Sequence, residues 1–398
     1  MAMRLRVSGM TLMACMIFIV AILPDELSLV KNAVYGAIFI MASLSTLLAV
    51  RRKGFRLRGR GELDVYLLGV CAAVLGIGVL NCLLHGVSPN ALEKLLQLMI
   101  CYTVLYAASQ HPWRAQEWSV VLGMARGMLL LFLASWVASG FSTHAFSALM
   151  KHSNGIGAVM FSYLALYLLR ARRLRLRDWG TIAAALVLLV CSTSRSNWLA
   201  TAVFFSCWAL FTALRKRGCK WLFPAVVAAA YLTPVGYLTL FRSAWASGIN
   251  QLSLLYFGKN FFSGRQNIWG EILALCARQP LMGYGFDASP VTMLGVDLSS
   301  HHWYLQMLLQ MGVVGSAAVI GSLWYLWQIF HRSRRYRVSR VAAAYLLGVL
   351  VGQCFEVSLT QNNFHTGLLT WFILGAALGQ IREQRQMEGV TRDDDENA

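Results

Sequence analysis

The sequence has few charged residues for its length. Of its 398 residues, 13% are charged and 58% are hydrophobic, and the mean hydropathy is +0.57. A soluble globular domain carries about 25% charged residues, so this composition excludes an ordinary soluble protein. The long apolar runs instead predict an all-α polytopic integral membrane protein, because unpaired backbone groups are prohibitively costly in lipid.

Acidic residues are scarcer still. The chain has 17 Asp and Glu against 35 Lys and Arg, which gives a formal net charge of +18. In a soluble protein this balance would suggest a nucleic-acid partner. Here the basic residues form short runs between apolar segments, which is typical of cytoplasmic loops. The charge therefore indicates membrane topology, and no nucleic-acid partner is expected.

The sequence also lacks the patterns of disulfide frameworks, metal sites and multiple domains. Its nine cysteines are scattered singly, without a CxxC pair or metal-ligand spacing, and are expected to be small buried hydrophobes. No repeat of solenoid length and no Pro- or Gly-rich linker divides the chain. A single membrane domain over residues 1–398 is the simplest division.

Apolar runs of about twenty residues predict about twelve transmembrane helices, given a rise of ~1.5 Å per residue and a ~30 Å hydrocarbon core. The positive-inside rule then puts both termini in the cytoplasm, because the opposite topology would place five basic clusters outside. The acidic tail over residues 383–398 is expected to be disordered. The spans lie near residues 8–23, 33–50, 63–84, 92–109 and 118–139, in a sixth run ending at Arg170, near 179–193, 197–214, 221–240 and 303–330, and in two runs that bracket Thr360 to Thr366.

Residues 241–302 form the longest interval that is too polar to be a span. They lie between the ninth and tenth predicted spans and form an external loop, or lid. Apolar spacing between Ile268 and Leu275 predicts helices at the outer membrane interface. The charges nearly balance, as an external segment should show, with Arg242, Lys259, Arg265 and Arg278 against Glu271, Asp287 and Asp297.

Two arginines are candidates for binding an anion. Arg195 lies in a tight turn between two spans with no acid beside it, and an unpaired Arg at membrane depth costs about 2.5–3.5 kcal/mol on insertion scales. Arg265 follows Gly264 at a predicted helix start, where guanidinium donors and free backbone N–H groups match a phosphate. The alternatives are an Arg195 that snorkels to lipid headgroups and an Arg265 in a solvated turn.

Two histidines, His301 and His302, lie where the loop enters the tenth span. With an unperturbed pKa of about 6.5, a His at this position is largely neutral at pH 7 and can accept a proton from a hydroxyl. The alternative is an interfacial His in an aromatic belt. Adjacent His side chains cannot both point at one site from a regular helix, so the sequence leaves open which of them acts.

Further residues are candidates for contacting a substrate. A polar group around Glu356 and Gln361 lies at the last external turn, where interface polarity is the alternative explanation. Phe257, Phe261, Phe262 and Trp303 are candidates for lining lipid chains. The substrate-binding candidates are Arg242, Lys259, Trp269, His302, Tyr304 and Asn154.

The order and sidedness of these motifs resemble the O-antigen ligase and polymerase superfamily. The motifs are Ser194-Arg195, Gly264-Arg265 with Trp269, Gly283-Tyr284-Gly285, and His301 to Leu305-Gln306 with Gly312 and Gly315. That family usually has His-Asn where this chain has His301-His302. Alignment through Tyr304-Leu305 puts His301 in the position of the family's His.

The resemblance implies an inverting glycosyl transfer that needs no metal or cofactor, from an undecaprenyl-diphosphate-linked glycan, at the outer face of the bacterial inner membrane. The loop has no Asp-x-Asp pair, which agrees with metal independence. The family's pattern assigns His301 as the base and Arg195 and Arg265 as the groups that stabilise the diphosphate.

Within the superfamily, the chain length and the single dominant loop look most like a ligase that uses lipid A-core as acceptor. A polymerase and a protein O-oligosaccharyltransferase are alternatives from the same superfamily. A polyprenyl-linked glycan transporter is an alternative from another class, as is a cytoplasmic-facing site for anionic lipid.

Overall fold

The computed structural model describes residues 8–53, 64–170, 176–213, 218–258, 260–262 and 264–396. Over these ranges the protein is all-helical, with no strand, and two short 3-10 turns, Asp25–Leu27 and Gly218–Trp221, accompany the α-helices. The α-helices are α1 Gly9–Ile22, α2 Ser28–Lys53, α3 Val65–His85, α4 Pro89–Gln110, α5 Ala115–Ala138, α6 Ser153–Arg170, α7 Leu176–Cys191, α8 Arg195–Ala213, α9 Leu222–Phe241, α10 Ala246–Phe257, α11 Arg265–Arg278, α12 Pro290–Leu294, α13 Trp303–Arg332, α14 Arg337–Gly352 and α15 Phe364–Glu396.

Each predicted span coincides with a helix, but the predicted count of twelve spans is not confirmed. Among the described residues, eight helices are long and apolar enough to cross a membrane: α2, α3, α4, α5, α8, α9, α13 and α15. The other four, α1, α6, α7 and α14, are shorter or less apolar. Helices α6 and α14 are buried against neighbouring helices along most of their length, so they need less apolar surface than a helix that faces lipid. The fold is that of a multi-pass membrane protein.

Glycines allow the central helices to approach each other closely, as is common in membrane bundles. A Cβ placed on Gly348 of α14 would lie 2.7 Å from the Ala200 carbonyl oxygen of α8. A Cβ on Gly375 of α15 would lie 2.5 Å from the Leu105 carbonyl oxygen of α4. These contacts place α14 and α15 in the middle of the helix bundle.

Helix α13 is interrupted at Gly312, where φ is 60° and ψ is −164°. The interruption frees backbone groups, and the segment after α11 binds to them. The Tyr284 N–H donates to the Leu309 carbonyl at 2.8 Å, and the Val313 N–H donates to the Pro280 carbonyl at 2.8 Å. The break therefore anchors residues 280–284 of the predicted loop to the membrane bundle.

Among its described residues, the 241–302 segment contains α10, α11 and α12, and α11 covers the residues whose apolar spacing predicted a helix. Helix α11 packs on α9 and α13 through a buried Trp269, whose ring lies 4.7 Å from that of Tyr237 between centroids. The Trp269 indole N–H donates to the Ser300 carbonyl at 2.7 Å. Trp269 thus couples the start of the segment to its end, just before the two histidines.

The C-terminal helix α15 extends to Glu396, and the disorder expected of residues 383–398 stays a prediction. Contacts explain the first part of the continuation: Arg382 lies 3.7 Å from Asp64, and Arg335 lies 2.5 Å from Glu388. These ion pairs tie the helix to residues at the ends of the membrane bundle.

Candidate active site

Arg195 is the first residue of α8, directly after a turn in which Thr193 has a φ of 49°. Its guanidinium is half-buried and reaches across to the loop segment. One Nη atom donates to the Ser253 Oγ at 3.0 Å, and the other donates to the Asn260 carbonyl at 3.1 Å. Arg195 therefore joins the membrane bundle to α10 instead of pointing freely into solvent.

Arg265 is the first residue of α11, and Gly264 before it has a φ of 80°. A positive φ is readily adopted by glycine alone, which accounts for the Gly-Arg pair. One Arg265 Nη atom donates to the Phe355 carbonyl at 3.2 Å. Its Nε is buried and has no hydrogen-bond partner among the described residues. The side chain thus keeps a donor for a ligand.

The two arginines line one cavity of about 320 Å³, here called the arginine cavity. Neither forms an ion pair with a carboxylate among the described residues, and their positive charges repel each other. Two unpaired like charges are unfavourable in a partly buried space, and an anion between them would relieve the repulsion. The lining also includes Asn154, Thr193, Ser196, Leu199, Tyr237, Phe261, Phe355 and Glu356.

His301 lines a second cavity of about 480 Å³, here called the histidine cavity. Its φ of 46° is uncommon for a residue with a side chain. Burial, together with the nearby positive charge of Arg265 and the ring of His152, lowers the pKa of His301 to about 4. The imidazole is therefore neutral at pH 7 and can accept a proton.

His302 occupies a different environment from its neighbour. It is fully buried as the N-cap of α13, and its Nδ1 accepts a hydrogen bond from the Leu305 N–H at 3.2 Å. Its ring packs edge-on against Trp269 at 5.1 Å. Burial lowers the pKa of His302 to about 3. The residue lines neither cavity.

The other predicted binding residues divide into two groups. Asn154 lines the arginine cavity, as does Phe261 from the set expected to contact lipid chains. Trp269 and Tyr304 are buried and line neither cavity; the Tyr304 hydroxyl donates to the Leu350 carbonyl at 2.9 Å. Arg242 is exposed at the end of α9 and also lines neither cavity. Lys259 lies outside the described residues.

Glu356, which the sequence marked only as part of a polar group at the last turn, is a cavity residue. It lies in the turn between α14 and α15 and lines both cavities. The Asn154 Nδ2 donates to its Oε1 at 2.6 Å. Burial raises the pKa of Glu356 to about 7, although the charge of Arg265 opposes the shift. The signal that distinguishes it from its polar neighbours is that it is a lone acid in a chain that has few acids.

The histidine cavity is rich in amides and contains both acidic and basic groups. Its lining includes Gln306 and Gln310 of α13 and Gln361 and Asn362 of the last turn. The Gln361 Nε2 donates to the Gln310 Oε1 at 2.8 Å. Asp287 is held in place by Ser88 and by the Asn90 side chain, which donates at 2.8 Å. A lining this rich in amide and carboxylate groups can form hydrogen bonds with the hydroxyls of a sugar. Within the described ranges, no cluster of three or more His, Cys, Asp or Glu side chains could hold a metal ion.

Comparison with known proteins agrees with this geometry. Residues 180–320 match a protein-family model described as O-antigen ligase. This match supports membership of the O-antigen ligase and polymerase superfamily. The match contains Arg195, Arg265 and His301 and excludes Asn154 and Glu356. A search of curated proteins finds no match. Members of this superfamily are glycosyltransferase-like enzymes that act on lipid-linked glycans.

Proposed function

We propose that this member of the superfamily is an O-antigen ligase, which transfers a glycan from undecaprenyl diphosphate to lipid A-core at the periplasmic face of the bacterial inner membrane. One observation carries the proposal: an arginine cavity without ion-pairing carboxylates adjoins a polar cavity that contains a neutral imidazole, and the two share Glu356. The first suits a diphosphate leaving group, and the second suits an acceptor sugar.

The donor diphosphate binds in the arginine cavity between Arg195 and Arg265. As the glycosidic bond breaks, negative charge accumulates on the leaving diphosphate, and both guanidinium groups stabilise it. At ~4 Å and an effective dielectric of about 20, each contact is worth about 4 kcal/mol before desolvation is subtracted. Leu199, Tyr237 and Phe261 supply the apolar part of this cavity, which suits the first units of a prenyl chain.

The acceptor sugar binds in the histidine cavity, where His301 accepts the proton of the attacking hydroxyl. The hydroxyl oxygen attacks the anomeric carbon from the face opposite the diphosphate, so the configuration inverts. A base with a pKa of about 4 is weak in the free protein. The two negative charges of a bound diphosphate offset Arg265 and raise the pKa of His301. Donor binding therefore strengthens the base before the acceptor reacts.

The acceptor is proposed to be lipid A-core because of the charges around the histidine cavity. Lys94, Lys151 and His152 belong to its lining, and basic groups favour an acceptor that carries negative charge, as a phosphorylated lipopolysaccharide core does. A neutral repeat unit, which a polymerase would use as acceptor, has no need of these residues.

A reconstituted assay tests the proposed function. The full-length protein in liposomes receives undecaprenyl-diphosphate-linked glycan and lipid A-core, with and without a chelator. We expect a covalent glycan–lipid A-core product at equal rates under both conditions. Loss of product in chelator that returns with a divalent ion would contradict metal independence.

The same assay separates the alternative functions. Elongation of a repeat-unit acceptor in preference to lipid A-core would identify a polymerase, and modification of Ser or Thr on a protein acceptor would identify an oligosaccharyltransferase. Movement of the lipid-linked glycan across the bilayer without any covalent product would identify a transporter.

A further inference from the structure

Glu356 lies where the two cavities meet. Its carboxyl belongs to the lining of both, and it is held by the 2.6 Å hydrogen bond from Asn154. Arg265 attracts the carboxylate but forms no ion pair with it among the described residues. A glycan with its diphosphate in the arginine cavity and its anomeric carbon toward His301 lies against this carboxyl.

The charged and titratable groups around Glu356 come from several elements. Arg195 of α8 and Arg265 of α11 face it in the arginine cavity. His301, before α13, and His152, before α6, face it in the histidine cavity. The remaining titratable groups of the two linings are Tyr237, Lys94, Lys151, Asp287 and Asp297.

A bound diphosphate changes the electrostatics at Glu356 in one direction. It adds two negative charges close to the carboxyl. It also pairs with Arg265, whose positive charge otherwise favours the ionised form of Glu356. Both effects disfavour a carboxylate. Ionised Glu356 and a bound diphosphate therefore oppose each other, whereas a protonated carboxyl can donate its O–H to an oxygen of the donor.

We infer that Glu356 is a donor-binding residue that must be protonated while the diphosphate is bound, so that its ionisation limits donor binding on the alkaline side. This inference rests on the proposed function. Burial has already raised the pKa of Glu356 to about 7 in the free protein. Each phosphate of the donor diester carries a single strongly acidic group, so the donor itself does not titrate in the same range.

The test is a binding measurement with the full-length protein in lipid nanodiscs. The probe is a synthetic undecaprenyl diphosphate carrying one hexose, titrated between about pH 6 and pH 9. If the diphosphate raises the pKa of Glu356 by one unit, the affinity weakens about tenfold across this range. In the Glu356→Gln variant the side chain at this position is neutral at every pH, so the affinity of the variant for the probe stays constant.

Glu93→Gln is the matched control. Its carboxyl is exposed and lies 3.2 Å from the Lys94 Nζ, outside both cavities, so this variant keeps the wild-type pH profile. A wild-type affinity that does not change with pH would overturn the inference. So would a Glu356→Gln variant that keeps the wild-type slope.

A second variant covers the case in which Glu356→Gln does not fold. Asn154→Ala removes the hydrogen bond that favours the ionised carboxyl, so the loss of affinity shifts to higher pH; an unshifted curve would overturn the inference. Because binding is measured without transfer, an absent glycan product refutes the proposed function separately.

Discussion

At the scale of single residues, two adjacent imidazoles are proposed to have different roles because they differ in burial and in backbone geometry. His302 satisfies the first turn of α13 through Nδ1 and fills space beside Trp269. His301, with its positive φ, lies outside the helix and faces the histidine cavity. The sequence alone left open which of the two acts, since both stand at the same loop exit.

Substituting the two histidines separates these roles. We expect His301→Ala to lower kcat by about 10²- to 10⁴-fold, which is the contribution of a general base. His302→Asn should retain transfer, because Asn is also a good N-cap, while losing about 1 kcal/mol of stability with the ring contact to Trp269. Transfer rates and thermal melts of the inserted proteins check both outcomes. Wild-type transfer by an inserted His301→Ala protein would remove the proposed base.

The pH dependence of kcat/KM for the donor reports on the free enzyme. The pKa of His301 is lowered to about 4, so the base is available above this pH, and kcat/KM falls as the pH drops through it. The pKa of Glu356 is raised to about 7, so kcat/KM also falls as the pH rises through that value. Glu356→Gln should remove only the alkaline limb. An acid limb near the ordinary His pKa of about 6.5 would contradict the environment described for His301.

Arg265 is expected to act through the shape of its guanidinium as well as through its charge. Arg265→Lys keeps the charge but loses the bidentate fork and the buried Nε, so the donor KM should rise about tenfold, with a larger rise for Arg265→Ala. Arg278→Ala, at the exposed opposite end of α11, is the control and should leave the donor KM unchanged. A donor KM for Arg265→Lys that equals the wild-type value would show that a point charge is sufficient at this position.

At the scale of helices, the break in α13 anchors the loop segment after α11 to the membrane bundle. Gly312→Ala would place a Cβ 2.6 Å from the Met282 nitrogen at a φ of +60°, so the bound segment must move. We expect a lower melting temperature and a loss of transfer together. Gly321→Ala lies in the same helix with open space around its Cβ position and should change neither. A Gly312→Ala protein with wild-type melting and transfer would show that the loop does not depend on this break.

At the scale of the whole molecule, the helices follow from the sequence more readily than the site does. Apolar runs of span length placed a helix at every predicted position, because backbone satisfaction in lipid permits little else. The count of spans does not follow from apolar composition alone, because α6 and α14 are enclosed by other helices and their composition reflects burial. The position of Glu356 between the two cavities could not be predicted, because its partner Asn154 lies 202 residues away in the chain. Only tertiary packing brings the two together.

The topology also belongs to this scale. If both termini are cytoplasmic, Lys151 lies outside and Arg335 inside. A Lys151→Cys variant in intact cells should react with a membrane-impermeant maleimide, in excess of the labelling of the parent protein. Arg335→Cys, at a side chain that is 57% exposed, should react only after the membrane is opened. The reverse pattern would invert the topology and place the cavities on the cytoplasmic side.

The central claim is that the two cavities form one active site around a lipid diphosphate. A cryo-EM structure of the His301→Ala protein in nanodiscs with an undecaprenyl-diphosphate-linked glycan tests it most directly. The diphosphate should lie between Arg195 and Arg265, with the anomeric carbon beside Glu356 and open toward the histidine cavity. A diphosphate bound elsewhere, or a glycan that points away from the histidine cavity, would contradict the claim.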